Sequence, residues 1–265
     1  MTQPNPFSAL VQECDDLDRI IVGLTDEQWQ LATPAPGWTI AHQVAHLAAT
    51  FRMAGLAAAD PDAFTALVSS LSSNFNANVT HALNQYLNDS NEVLFKRWQT
   101  ERADAIKSLS SVPDGQVVPW LVNPLPPAIL AMAGMMEAFA HGQDIADTLG
   151  VERERTDRIW FLVAFAVRVW DFGYLARNEQ PPATEFRFEL TGPSGDVRTF
   201  GPEDAEQRIT GSAVDFCLLT TRRRHRKDLD IQATGPDADH WVDIAQAYRG
   251  PAGEGRTAGQ FGEQP

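Results

Sequence analysis

A chain of 265 residues that is 43% hydrophobic and 21% charged can build one large core or two modest ones, which excludes wholesale disorder. Its formal net charge of −14 excludes nucleic-acid binding through a broad basic face, since the only concentrated basic run is Arg222-Arg223-Arg224-His225-Arg226-Lys227. Two distant cysteines, Cys14 and Cys217, make no disulfide framework and are expected as reduced core thiols. No apolar run reaches membrane-spanning length, and residues 1–8 show no charged-then-apolar leader, so a soluble cytoplasmic protein with no membrane partner is expected.

Over residues 7–24, Leu10, Val11, Cys14, Leu17, Ile20, Ile21 and Leu24 recur at helical spacing. Thr25-Asp26-Glu27-Gln28 offers a cap for a short turn carrying Trp29. The run Thr33-Pro34-Ala35-Pro36-Gly37-Trp38 breaks any helix and reads as an ordered loop, with Trp38 as a packed anchor. Thr39 can cap a second helix over residues 40–58, which carries His42 and His46 one turn apart on one face. Asp60-Pro61-Asp62 ends that helix and opens another over residues 63–71. After a polar break at 72–78, the pattern predicts a single long helix over 79–109. A Pro-rich connection over residues 119–127 leads into a helix over 128–149, with Gly150 as its C-cap. A further helix, rich in Trp160, Phe161, Phe165, Trp170 and Phe172, is predicted over 156–177.

Composition changes at Asn178-Glu179-Gln180-Pro181-Pro182, a candidate linker. Beyond it Phe186, Phe188 and Leu190 alternate with charged residues, which predicts a strand, and residues 197–200 return as a second. Thr210-Gly211-Ser212 opens a predicted helix from Ala213 to about Thr221, residues 229–233 alternate again, and a last helix is predicted over 238–248. The tail from Pro251 is Gly-rich and polar, and is expected to be mobile. The sum is a mainly α protein: a helical bundle over residues 1–178, then a small α+β domain over residues 183–265.

Glu137 and His141 stand four residues apart in the helix over 128–149, so their side chains stack on one face. Their neighbours are apolar, and a carboxylate and an imidazole in apolar surroundings need compensation. Two readings satisfy that need. One is a simple i, i+4 ion pair. The other is a metal held by both residues and by His46 from the second helix, since three protein ligands with one open position is the common form of a catalytic site. Histidine nitrogens and a carboxylate suit zinc, iron, nickel or manganese. His42, one turn from His46, is read as a ligand, as a residue supporting the ligands, or as merely exposed.

Pro36-Gly37-Trp38-Thr39-Ile40 followed by Val44-Ala45-His46-Leu47-Ala48, and then Glu137-x-x-x-His141 with Asp144 soon after, resemble the motifs of the DinB-like four-helix metal proteins. More narrowly, they resemble the mycothiol-dependent maleylpyruvate isomerase family of actinobacteria. The later run Ile209-Thr210-Gly211-Ser212-Ala213 and the arginines Arg222, Arg223 and Arg224 resemble that family's sterol-carrier-like C-terminal domain. The resemblance implies an up-down four-helix bundle with one extra helix, and a divalent metal, usually zinc, on His46, Glu137 and His141. It also implies mycothiol as the thiol cofactor and a small electrophilic substrate. In an isomerase of this kind the thiolate adds to an activated double bond, rotation follows, and expulsion of the thiol restores the alkene; in a transferase the adduct is released.

Asp144, three residues after His141, is the candidate catalytic residue outside the ligand set, to orient His141 or a water; its plainer reading is a helix-surface carboxylate. Arg222, Arg223 and Arg224 are read either as a solvated face at a helix C-terminus or as recognition of an anionic group on the cofactor or substrate, at the outer wall of the metal cleft if the two domains face each other. The competing function is a non-catalytic metal-binding protein whose C-terminal domain binds a small ligand or partner. The sequence carries no signal for oligomeric state.

Overall fold

The computed structural model describes residues 5–262; residues 1–4 and 263–265 lie outside the described residues, and the leader-free reading of residues 1–8 falls partly among them. Two compact units divide the chain, Met1–Glu152 and Arg153–Pro265.

In the first unit, α1 (Pro6–Ile21) begins where the Asn5 side chain accepts a hydrogen bond from the Ser8 amide, with proline at its first position. The short α2 (Asp26–Trp29) uses the expected Thr25 cap, and Gln28 reciprocates by accepting from the Thr25 amide. Then come α3 (Ile40–Ala59), α4 (Pro61–Ser69), α5 (Phe75–Leu87), α6 (Asn91–Ser110) and α7 (Pro127–Leu149). The four long helices α1, α3, α6 and α7 make the bundle: α3 packs on α6 and α7, and α1 on α7 and α6. Leu10, Leu17, Val44, Leu47, Phe51, Trp98 and Phe139 fill the space between them. Gly150 closes α7 in the left-handed conformation, as its sequence position predicts. No helix among the described residues is long and apolar enough to cross a membrane.

The long helix expected over 79–109 is two helices. Asn74 accepts from the Ala77 amide and starts α5 inside the stretch expected to be a break. Ser90 accepts from the Val93 amide and starts α6. Asn88, Asp89 and Ser90 interrupt the apolar pattern by only one turn, yet side chains of this kind compete for backbone donors and favour a fresh cap over continuation.

The second unit contains α8 (Ile159–Arg168), α9 (Phe172–Leu175), β1 (Phe186–Thr191), β2 (Val197–Phe200), β3 (Gln207–Ser212), α10 (Ala213–Thr220), β4 (Ile231–Thr234) and α11 (Pro236–Ile244). The sheet order is β2-β1-β3-β4, with β1 and β3 parallel and both outer pairs antiparallel. Phe188 meets Phe216 and Trp241 edge-on at 5.6 and 5.5 Å, so the inward face of β1 carries the core of this unit. Both cysteines are buried and neither forms a disulfide among the described residues, as expected.

Three expectations change here. The helix over 156–177 is broken into α8 and α9, and it belongs to the second unit, so the boundary lies at 152/153 and not at 178/183. The reason is long-range pairing within the second unit: Trp160 Nε1 donates to Asp196, Asp157 accepts from the Ser194 amide, and Trp241 Nε1 donates to the Trp170 carbonyl. Residues 207–212, where no strand was expected, form β3; the helix expected from Ala213 is α10, and Ser212 caps it by accepting from the Asp215 amide. The tail is also less free than expected: Phe261 lies 3.8 Å under the Arg224 guanidinium, and Asp228 accepts from the Gly259 amide.

A polar hub ties α1 to α6. Asp18 on α1 accepts from Trp98 Nε1 at 2.7 Å and from Gln99 and Arg102 of α6 at 2.8 Å each. Removing the cation leaves a largely buried carboxylate short of its charge partner. Arg102→Met is therefore expected to lower the unfolding free energy by about 3 kcal/mol, read as a lower urea midpoint at unchanged slope.

Candidate metal centre

The site begins in the loop before α3. Ala35-Pro36-Gly37-Trp38 is a turn closed by the Trp38 amide on the Ala35 carbonyl at 3.0 Å, with Gly37 at φ 77°. Proline followed by a residue of positive φ is the type II pattern, so glycine is needed at that position. Thr33 then accepts nothing from Trp38 but gives twice: its amide and its hydroxyl both donate to the Trp38 carbonyl, at 2.8 and 2.9 Å.

α3 buries Ile40, Val44, Leu47 and Ala48 and leaves His46 half-exposed on the opposite stripe. α7 likewise buries Met135, Met136, Ala138 and Phe139 around a half-exposed Glu137 and His141. Because α3 and α7 are packed neighbours, the three polar residues converge. Glu137 Oε2 lies 3.4 Å from His46 Nε2 and 3.2 Å from His141 Nε2. One ligand atom from each of the three residues lies within 4.8 Å of the others, and no other such group of histidine, cysteine and carboxylate side chains occurs among the described residues. Side-chain exposures of 22% for His46, 20% for Glu137 and 12% for His141 leave the cluster reachable from solvent.

These spacings fit a metal. Bonds of about 2.0–2.1 Å in a tetrahedron set ligand atoms roughly 3.3 Å apart, which is the separation of Glu137 Oε2 from each imidazole nitrogen. Electrostatics agree. Burial opposes ionisation of Glu137, but the hydrogen bonds with His141 and His46 and the charges of both rings outweigh it and hold the carboxyl well below the usual carboxylate range.

Trp38 joins the site through its ring. It is stacked on His141 at 5.8 Å and 19°, and it lies 5.3 Å from His46. The sequence reading placed Trp38 as a packing anchor only. Gln43 was missed altogether, although its place in an apolar run of α3 was the available signal: a buried amide needs partners. Its Oε1 lies 2.5 Å from His141 Nδ1.

His42 is resolved among its three readings. Its Nδ1 takes the Thr39 amide at 3.3 Å and the Thr39 hydroxyl at 2.8 Å, so it serves the start of α3. Burial holds its imidazole below the ordinary histidine range. Asp144 is fully buried, which rules out the surface-carboxylate reading; its Oδ2 lies 3.5 Å from Gln43 Nε2.

The three arginines lie in the second unit, just after α10. Arg222 has a left-handed backbone, φ 58°, and donates to the Gly253 carbonyl; Arg223 donates to the Thr221 carbonyl; Arg224 is buried and donates to the Arg223 carbonyl. They are not one solvated face. Arg222 and Arg224, but not Arg223, line a cavity of about 140 Å³ together with Arg226, Arg256 and Glu254.

Comparison with known proteins now adds to this geometry. Residues 10–146 match the family model described as mycothiol maleylpyruvate isomerase N-terminal domain, and residues 182–233 match one described as wyosine base formation. Two uncharacterized proteins from two strains of Mycobacterium tuberculosis are each 44% identical over 257 residues, covering 97% of this chain and all of theirs. Two crystal structures of the mycothiol-dependent maleylpyruvate isomerase, one of them a histidine variant, share the fold at TM-scores of 0.53 and 0.55. They are 13% and 12% identical, and each alignment covers 86% of this chain and 91% of the other.

The assignment of His42 to the helix start has a measurable consequence. His42→Ala is expected to cost about 1 kcal/mol of stability in urea unfolding, the usual size of a lost helix cap, and to leave the far-ultraviolet helical signal unchanged.

Proposed function

The chain belongs to the mycothiol maleylpyruvate isomerase N-terminal domain family, and from that premise we propose that it is a metal-dependent enzyme. It uses a low-molecular-weight thiol, mycothiol, for transfer to or isomerisation of a small electrophilic substrate, and it works in the cytoplasm. The observation that carries the reading is the convergence of His46, Glu137 and His141 from two helices to within 4.8 Å.

Zinc is the ion we infer from a donor set of two imidazoles and one carboxylate. A divalent ion held there, with a coordination position left for an outside ligand, favours the thiolate form of a thiol that reaches it. The protein's own residues supply the rest. Glu137 contributes a carboxylate that stays ionised across the physiological range, which lowers the net charge of a bound cation. Trp38 covers one side of both imidazoles with an apolar ring and keeps water from that side. Asp144 is buried away from solvent and so acts as a positioning residue through Gln43, not by touching substrate. Arg222 and Arg224, at a small cavity lined by four arginines and by the carboxylates of Asp243 and Glu254, are our candidates for an anionic group on the cofactor or substrate.

A purely structural metal would make the competing, non-catalytic reading. Structural zinc sites are commonly closed by four protein ligands, whereas the cluster here has three members among the described residues and is open to solvent.

Metal analysis tests the proposal. Purified protein is expected to hold about one divalent ion per chain, and His46→Ala, Glu137→Ala and His141→Ala each to lose most of it. Full retention in all three variants overturns the assignment. With cobalt in the site, mycothiol is expected to produce a thiolate-to-metal absorption band; silence with every cellular thiol tried would leave the non-catalytic reading in possession.

A further inference from the structure

Gln43 has no exposed surface, yet every polar atom of its amide is directed at a partner. Oε1 faces His141 Nδ1 at 2.5 Å, while Nε2 faces Thr33 Oγ1 at 2.8 Å and Asp144 Oδ2 at 3.5 Å. The direction of each bond can be worked out from donors and acceptors alone. A backbone carbonyl only accepts, so the Thr33 hydroxyl proton is committed to the Trp38 carbonyl. Thr33 Oγ1 must then accept from Gln43, which places the amide nitrogen on that side; the Asp144 carboxylate, itself an acceptor, demands the same orientation. Oε1 is left for His141, and an amide oxygen only accepts. The proton of that bond therefore sits on His141 Nδ1; Nε2, the atom 3.2 Å from Glu137 Oε2, donates to that carboxylate when the ring carries both protons and presents its lone pair when the ring is neutral.

We propose that Gln43 is the positioning residue that fixes His141 as its Nδ1–H tautomer, with Nε2 turned to the metal centre, and that it does so by passing the fixed direction of the Trp38 carbonyl through Thr33. The same amide spans α3 and α7, since Gln43 and His141 are 98 residues apart in the chain. It also links the ligand ring to the loop whose indole is stacked on that ring. One side chain thus holds the imidazole in plane, in tautomer and against Trp38. Its value to the metal rests on the function proposed above, but the tautomer itself does not.

Two measurements test it. In metal-free wild-type protein, at a pH high enough that the His141 ring carries a single proton, the ¹⁵N–¹H correlation of the imidazole side chains is expected to show that proton at Nδ1; a single proton at Nε2 overturns the proposal whether or not the protein binds metal. Zinc affinity by chelator competition is the second. Gln43→Met keeps the size and removes the acceptor, and is expected to weaken zinc binding about 10–100-fold. Gln43→Glu restores an acceptor; it is made together with Asp144→Asn so that two carboxylates do not face each other, and is compared with Asp144→Asn alone. The double variant is expected to return to within about threefold of that single variant. Unchanged affinity in Gln43→Met, or a double variant as weak as Gln43→Met, overturns the proposal. Wild-type protein that binds no zinc instead defeats the metal reading, and the tautomer spectrum still decides the role of Gln43.

Discussion

A single carboxylate oxygen, Glu137 Oε2, stands between two imidazoles carried by different helices, and much of the first unit is arranged to make that tolerable. A carboxylate in an otherwise apolar helix is costly to ionise, and here the opposing interactions from His46 and His141 prevail. They prevail because α3 and α7 pack side by side at the level of these residues. Ala45, Ala48, Ala138 and Ala140, neighbours of the three residues in sequence on the two helices, are all buried. The polar stripe is thus a product of apolar packing.

The candidate ligands could be named in advance because helical periodicity is rigid. Residues at i and i+4 must share a face, so Glu137 and His141 could be paired from spacing, while His46 needed the resemblance of the Gly37-Trp38 to His46-Leu47 stretch. What supports those ligands was not legible. Gln43 touches His141 across 98 residues, and Thr33 touches Gln43 out of a loop. Such contacts have no period to betray them. The family match and the shared fold agree with the suspected relationship and with the mainly α architecture.

Errors in the fold reading have a common cause. Residues 88–90 are only three polar residues in a long amphipathic pattern, and the choice between a continuous helix and a capped restart turns on one Ser90 hydroxyl. Residues 156–177 are apolar enough for a bundle helix, yet their polar atoms pair with Ser194, Asp196 and Trp241 far along the chain. β3 lies in the middle of the sheet, between β1 and β4, but alternates only weakly in burial, so its short polar sequence reads more like a helix start. In the first two cases side-chain hydrogen bonds, and in the third backbone pairing with β1 and β4, decided an outcome that hydrophobic patterning left open.

Because the candidate ligands come from α3 and α7, the arrangement that joins them does not exist in an unfolded chain. An ion that binds the closed bundle and ignores the open one shifts the folding equilibrium by mass action, by about 2.7 kcal/mol at a free concentration 100 times its dissociation constant. That is a large share of the stability of an ordinary domain. The chain would then report its ion supply through its own abundance, since molecules made without the ion unfold more often and are cleared sooner.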